Sequence, residues 1–342
     1  MTIIYFVLIL GIVVFVHELG HFIFAKRAGI YVYEFALGMG PRIFKFKRKN
    51  DETDYSIRLF PIGGFVRMAG EEIEADENIS VDQRVQSKSW LARFLTMISG
   101  IVFNFILAII IFFIIGLITG VPVNNNAVIT GVTGQSEIAG LEDGDIVVRL
   151  NGVRTRSSDR FLIEYHVNYG EKLELEVLRN NETFIISVEP EEVDDIYRYG
   201  FGLDTTTYKS FWGSLKHAFV QFANLIETMI VIITYLFTGN LSLNNLAGPI
   251  GIFNVVGESA RLGFINVVYL LGFISLNVGF INLLPIPAFD GGRIIFLIIE
   301  AIRRKPLKPS IENTIHMIGF VLLMILMVVI TYNDIMRFII GR

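Results

Sequence analysis

From Leu95 to Ile118 the chain runs twenty-four residues without one charged side chain. Wound as a helix at 1.5 Å per residue, that block is about 36 Å long, enough to cross the roughly 30 Å hydrocarbon core of a bilayer. In hydrocarbon every backbone N–H and C=O must be satisfied within the chain, so helices and closed barrels are the only spanning forms. Three more long apolar blocks are present: Ile3 to about Ala25, interrupted only by His17-Glu18-Leu19-Gly20-His21, the uncharged stretch Gly263 to Pro287, and about Ile315 to Tyr332. Composition agrees, with 53% hydrophobic and 18% charged residues and a mean hydropathy of +0.57, where soluble chains carry about a quarter charged residues.

The first block has the length of a signal peptide's apolar core. No Lys or Arg precedes it, however, and Lys26 and Arg27 follow at once. Positive residues favour the cytoplasmic side, so this block reads as a span that enters with its N-terminus outside.

The polar stretches divide the rest. Residues 26–94 carry twelve Lys or Arg, and within them Arg42 to Lys47 and Tyr55 to Phe60 alternate as short strands, punctuated by Gly38, Gly40, Gly63 and Gly64. Residues 121–206 place β-branched runs such as Asp145 to Leu150 and Thr183 to Val188 between turn signals (Gly144-Asp145, Asn151-Gly152, Asn180-Asn181), as one small β-rich domain does. Ala218 to Phe237 is apolar enough to span, but Lys216, Gln221, Asn224 and Glu227 interrupt its first half. The 26–94 loop and the basic cluster Arg303, Arg304, Lys305 and Lys308 belong on the same side, so an even number of spans separates them. That predicts an amphipathic helix at the outer interface over 211–238, followed by a loop over 239–262.

Chemistry enters at His17-Glu18-Leu19-Gly20-His21, an H-E-x-x-H pattern. On a helix, residues i and i+4 share a face, so both imidazoles reach one ion while the glutamate addresses a metal-bound water. The chain has no cysteine, so a metal must be held by His, Asp or Glu. A net charge of −4 gives no basic surface for nucleic acid. In soluble proteins this pentapeptide is often a pair of solvated helix histidines; inside an apolar span its polar groups are costly and mark a functional site. A catalytic zinc needs a third protein ligand. His166 lies in the β-rich domain, His217 in the interfacial segment and His316 near the start of the last span. Asp290 is the better candidate, because Pro285 and Pro287 break the helix just before it and Gly291-Gly292 permit a turn that aims its carboxylate. The plain alternative is a turn or capping aspartate.

With those residues in view, the chain resembles the site-2 metalloproteases of regulated intramembrane proteolysis, above all the bacterial PDZ-containing branch typified by the regulator of sigma-E protease. His17 to His21 matches the family's zinc helix, and Asn282 to Gly292 its N-x-x-P-x-P-x-x-D-G-G signature. The resemblance implies one zinc ion per chain on His17, His21 and Asp290, with Glu18 catalytic, and substrate-backbone binding by Asn282 and Asn277. It makes Phe35 to Gly40 and Tyr55 to Gly64 a membrane-associated β-loop, whose exposed edge would supply hydrogen bonds to an unwound substrate helix. Ala139-Gly140-Leu141-Glu142-Asp143-Gly144-Asp145 and Asn151-Gly152 are similar to a PDZ domain, either a peptide recruiter or a steric filter. Asn245 to Gly251 matches a further family segment, which carries no chemistry of its own. One PDZ-like insert stands where the sigma-E branch has two.

The expectation is therefore a polytopic α-helical membrane protein with about four transmembrane helices, a membrane-associated β-loop and one inserted α+β PDZ domain. Residues 1–120 form the N-terminal membrane region, 121–206 the extracytoplasmic PDZ-like domain, 207–262 an interfacial helix and linker, and 263–342 the C-terminal membrane region. It would sit in a bacterial cytoplasmic membrane and cleave transmembrane segments of single-pass proteins, such as anti-sigma factors or signal-peptide remnants. A catalytically silent helix-binding adaptor would not need all four site residues. A transporter would call for more intramembrane histidines and an inverted repeat.

Overall fold

A computed structural model describes residues 1–49, 51–70, 79–193, 196–239, 247–305 and 309–338. The chain divides into two compact units, Met1–Ile111 with Leu246–Arg342, and Phe112–Asn245.

The first unit opens with α1 (Thr2–Arg27). Its Ile- and Val-rich sequence has only modest helix propensity, so the helix owes its form to apolar surroundings that force internal hydrogen bonding. Lys26 and Arg27 close its last turn, where cations suit the helix dipole. A long hairpin follows, β1 (Val32–Lys47) with β2 (Asp54–Met68). Gly38 and Gly40 turn β1 and Gly63 turns β2, all at positive φ. Leu37 consequently faces Gly64 as well as Ile57, while Phe46 faces Tyr55 farther out. Both expected strands are present inside these longer ones. The outer half exposes Ile43, Phe44, Phe46, Leu59 and Phe60 between basic residues. Next comes α2 (Trp90–Thr119), and the division between the units falls within it. Where α1 meets α2, a Cβ on Gly20 would lie 2.5 Å from Ser99 O, so only glycine lets these backbones approach so closely.

The second unit comprises β3 (Val121–Pro122), β4 (Ile129–Thr130), α3 (Gly134–Ile138), β5 (Ile146–Leu150), β6 (Val153–Arg154), α4 (Ser158–Val167), β7 (Leu173–Arg179), β8 (Glu182–Val188), β9 (Glu191–Val193), β10 (Ile196–Arg198), β11 (Gly202–Leu203), β12 (Thr207–Tyr208) and α5 (Phe211–Thr238). Its main sheet is antiparallel in the order β6-β5-β7-β8. In β7, Leu173, Leu175 and Val177 point inward against Val147, Leu150 and Phe161, while Glu174 points out, the period-two pattern of a half-covered sheet. Ser157 caps α4 by accepting the Arg160 N–H.

The first unit then resumes with α6 (Pro249–Leu262), α7 (Phe264–Leu283), α8 (Asp290–Arg303) and α9 (Pro309–Phe338). Here the sequence reading needs correction. Residues expected to be loop within 239–262 include the fourteen-residue helix α6. Its Gly-Pro start looks like a break, yet proline at the first helical position is favoured, and Asp334 of α9 accepts the N–H groups of Gly248 and Gly251 there. Asn245, Leu246 and Lys308 lie outside the described residues. Gly291-Gly292, expected to make a turn after Asp290, lie instead in the first turn of α8, which begins at Asp290. This helix packs Ile294 and Leu297 into the core formed by Ala25, Phe35, Val66, Met97 and Ile101, and Glu300 takes a two-pronged hydrogen bond from Arg93.

Among the described residues, α1, α2, α5, α7 and α9 are long and apolar enough to cross a membrane. Four of these coincide with the expected spans, and the fifth is α5.

Candidate metal centre

One turn of α1 separates His17 from His21, and their Nε2 atoms stand 3.2 Å apart. Asp290 Oδ2 lies 3.1 Å from the first and 3.2 Å from the second. The three atoms form a nearly equilateral triangle. Ligands held about 2.0–2.1 Å from a tetrahedral ion stand about 3.3–3.4 Å apart, so the triangle has nearly the size of one face of such a site. Both histidines are over 90% buried.

The far side of each ring is held by α2. His21 Nδ1 donates to the Thr96 carbonyl at 2.8 Å, which leaves the Nε2 of the neutral ring with a lone pair. His17 Nδ1 lies 3.4 Å from the Asn104 amide nitrogen, while Asn104 Oδ1 is buried without a partner. Turning that amide over places Oδ1 on the ring N–H and relieves both strains, and His17 Nε2 then also faces inward with a lone pair. Asp290 Oδ2 is buried too and finds no donor. Three ligand atoms of two imidazoles and a carboxylate thus converge on one point, an arrangement that a cation would hold. The donor set suits zinc, with two imidazoles and one carboxylate. Gly100 makes the approach possible, since a Cβ there would run into His21 Nε2 and His17 Cε1.

Asp290 reaches this point from a compact turn. α7 ends at Leu283, and the chain passes Pro285 and Pro287 to Ala288, which sits at φ +88°. Gly291 and Gly292 pack against the carbonyls of Leu283, Leu284 and Ile286 so closely that a side chain at either would collide with backbone. The two glycines thus press the start of α8 into the preceding turn.

Glu18 lines the same cavity, of about 830 Å³, together with His17, His21 and Asp290. Phe65, Val66, Arg67 and Met68 of β2 form another wall. Gly64 lets this strand lie against α1: its Cβ would sit 2.9 Å from Val14 and 3.2 Å from the Glu18 side chain. Among the described residues β1 is the only strand paired with β2. The hairpin is braced beneath by Glu34, which accepts from Ser56 and Arg58 and pairs with Arg42. Burial pushes the Glu34 carboxyl up, but Ser56 and the two guanidinium groups outweigh it and hold it below its ordinary range.

The four residues singled out from sequence thus share one cavity. Asn277 and Asn282 lie on α7 outside the cavity lining, and Asn277 donates to the Phe273 carbonyl one turn back. His166 bonds to Leu162 O in the second unit, and His217 sits on α5. Thr96, Gly100 and Asn104 were not foreseen. The available signal was Asn104 itself, an amide four residues after a glycine in an otherwise uncharged apolar block.

Peptidase family M50 matches residues 5–326. The zinc metalloprotease RasP of Shouchella clausii is 34% identical, with 98% of this chain and 99% of the relative aligned. The regulator of sigma-W protease RasP of Bacillus subtilis is 33% identical, with 98% of each chain covered. A putative zinc metalloprotease of Clostridium perfringens is 34% identical, again over 98% of both. With its paired imidazoles and single carboxylate on helices long enough to cross a bilayer, and with a match over nearly its whole length, this chain belongs to peptidase family M50.

Proposed function

We propose that the chain is an intramembrane zinc endopeptidase that cleaves transmembrane segments of other membrane proteins. The triangle of His17 Nε2, His21 Nε2 and Asp290 Oδ2 carries this reading, and these three residues hold the zinc. Bound there, zinc supplies a Lewis acid and a water acidified toward a pKa of about 7. Glu18 takes the proton of the attacking water and returns it to the leaving amine nitrogen. A transmembrane substrate must unwind before its carbonyl can be reached, and its freed amides then need partners. The β2 edge from Gly64 to Met68, lying beside Glu18, receives that extended stretch as an added strand. Asn277 and Asn282 on α7 bind the substrate backbone away from the cavity wall.

Residues 121–206 form an extracytoplasmic PDZ-like domain, a reading supported by the turn glycines and the β6-β5-β7-β8 sheet. α5 lies along this domain as an interfacial helix, which leaves four spans in a bacterial cytoplasmic membrane. Its contacts support that placement. Asp159 on α4 meets Gln221 and His217, while Arg160 and Glu164 meet the Tyr235 hydroxyl. A helix flanked by a polar helix of a soluble sheet domain is not surrounded by lipid. With no native cysteine, a single Lys305→Cys thiol tests the topology: labelling from the cytoplasmic face supports four spans, and labelling from outside rejects them. By analogy with the Bacillus relative's name, the substrates include membrane-bound regulators of sigma factors.

The deciding experiment is Glu18→Gln in purified protein. Cleavage of a transmembrane substrate should fall about 10²–10⁴-fold while about one zinc per chain stays bound. Undiminished cleavage rejects the mechanism, and absence of zinc from the unaltered protein favours a silent adaptor.

A further inference from the structure

α9 takes no part in the chemistry above, yet its His316 lines the same cavity as the metal triangle. Its Nδ1 accepts the backbone N–H of Ala288 at 3.0 Å. Ala288 stands two residues before Asp290 and holds φ +88°, a conformation that side chains other than glycine's adopt only when their surroundings impose it. Those surroundings are specific. One turn along α9, a Cβ on Gly319 would lie 2.5 Å from both Pro287 Cβ and Pro287 O. Residues 316 and 319 share a helix face, so α9 seats Pro287 on a glycine and ties down the next N–H with an imidazole. Gly291 and Gly292 of α8 pack against the same turn. The His316 ring is fixed in turn by an edge-on contact with Phe296 at 5.4 Å.

We infer that His316 is a positioning residue for the metal: by holding the Ala288 N–H it locks the strained turn that carries Asp290 to the paired imidazoles. The inference rests on the reading of His17, His21 and Asp290 as the metal site. If the acceptor is lost, a half-buried N–H loses its partner and the strained residue has a reason to relax. Asp290 is carried with it, since a single residue separates the two. Zinc affinity therefore depends on a histidine that never touches the metal.

The test compares His316→Phe and His316→Asn in the full-length protein, with zinc affinity measured by competition against a chelator. Phenylalanine preserves a flat ring against Phe296 but accepts no hydrogen bond. Asparagine is smaller, yet it can place an acceptor oxygen where Nδ1 stood. The phenylalanine variant should bind zinc about tenfold or more weakly, within the range outer-shell partners command, and asparagine should restore affinity. A packing role predicts the reverse order, because asparagine fills the site less well. At saturating zinc the kcat of the phenylalanine variant should recover, since only the delivery of Asp290 is impaired. Equal affinities for unaltered and phenylalanine proteins overturn the inference alone, as does an asparagine variant no better than phenylalanine or a kcat that stays low with zinc saturating. If the unaltered protein binds no zinc, the metal reading falls and this inference falls with it.

Discussion

The metal triangle of the first unit and the ion-pair networks of the second treat buried charge in opposite ways. In the second unit, among the described residues, the buried carboxylates Asp145 and Glu164 each have a cation of the chain's own beside them. Arg179 grips Asp145 through two nitrogens at 2.7 Å, and Arg160 lies 2.7 Å from Glu164. In the first unit, Asp290 has for ion-pair partners, among the described residues, only the two imidazoles, whose rings are already engaged through Nδ1. One arrangement is electrostatically complete within the protein, and the other becomes complete only when a cation enters. A closed network of charges is costly to break by removing one partner, whereas an open one, built from helices with apolar exteriors, is a binding site.

Substitution should separate the two. His21→Ala removes one corner of the triangle and should abolish zinc binding and cleavage together, while Asp145→Ala in the second unit should leave zinc content unchanged. Metal analysis of both proteins checks the contrast, and zinc retained without His21 would break it. Asn104→Leu should have a smaller effect of the same kind. It leaves the three ligands intact but takes away the partner of His17 Nδ1, so zinc should bind about 10–100-fold more weakly. Chelator competition reads this directly, and unaltered affinity would mean that the amide serves only the packing of α2 on α7, where Ser275 bonds to the Asn104 carbonyl.

The same contrast explains what could be read in the sequence. In the first unit His17, Glu18, His21 and Asp290 stood out because they are rare polar groups beside or inside apolar blocks. The pattern could not show how Asp290 arrives there, because the turn depends on contacts distant in sequence, Pro287 with Gly319 and Ala288 with His316. Thr96 was invisible for another reason: it acts through its backbone carbonyl, which every residue possesses. In the second unit the turn signals and β-branched runs were legible as fold, and the runs Asp145 to Leu150 and Thr183 to Val188 fall on β5 and β8. α6 was lost because Gly248, Gly251 and Gly257 resemble breakers, while its capping by Asp334 comes from residues more than eighty positions away.

The smallest expected effect lies in the second unit and concerns stability alone. Arg179→Leu strips two hydrogen bonds from Asp145 and one from Glu142, and leaves a buried carboxylate supported by the Glu142 N–H. Charge-assisted bonds of this kind contribute about 1.5–3 kcal/mol when the surviving partner stays buried. Burial pushes the Asp145 carboxyl up, but Arg179 and the Glu142 N–H outweigh it, so its pKa in the folded protein lies below the ordinary value. A depressed carboxylate pKa means that the folded state binds fewer protons than the unfolded one. The stabilisation is therefore complete above the unfolded pKa of about 3.9 and drains away as pH falls through the folded value. Amide exchange in β5 and β7 should be faster in the variant at neutral pH, with the gap from the unaltered protein narrowing as the solution is acidified. Zinc affinity should stay the same throughout, since the closed network contributes to the sheet and not to the metal. A variant that loses zinc along with its sheet protection would show that the two kinds of buried charge are coupled after all.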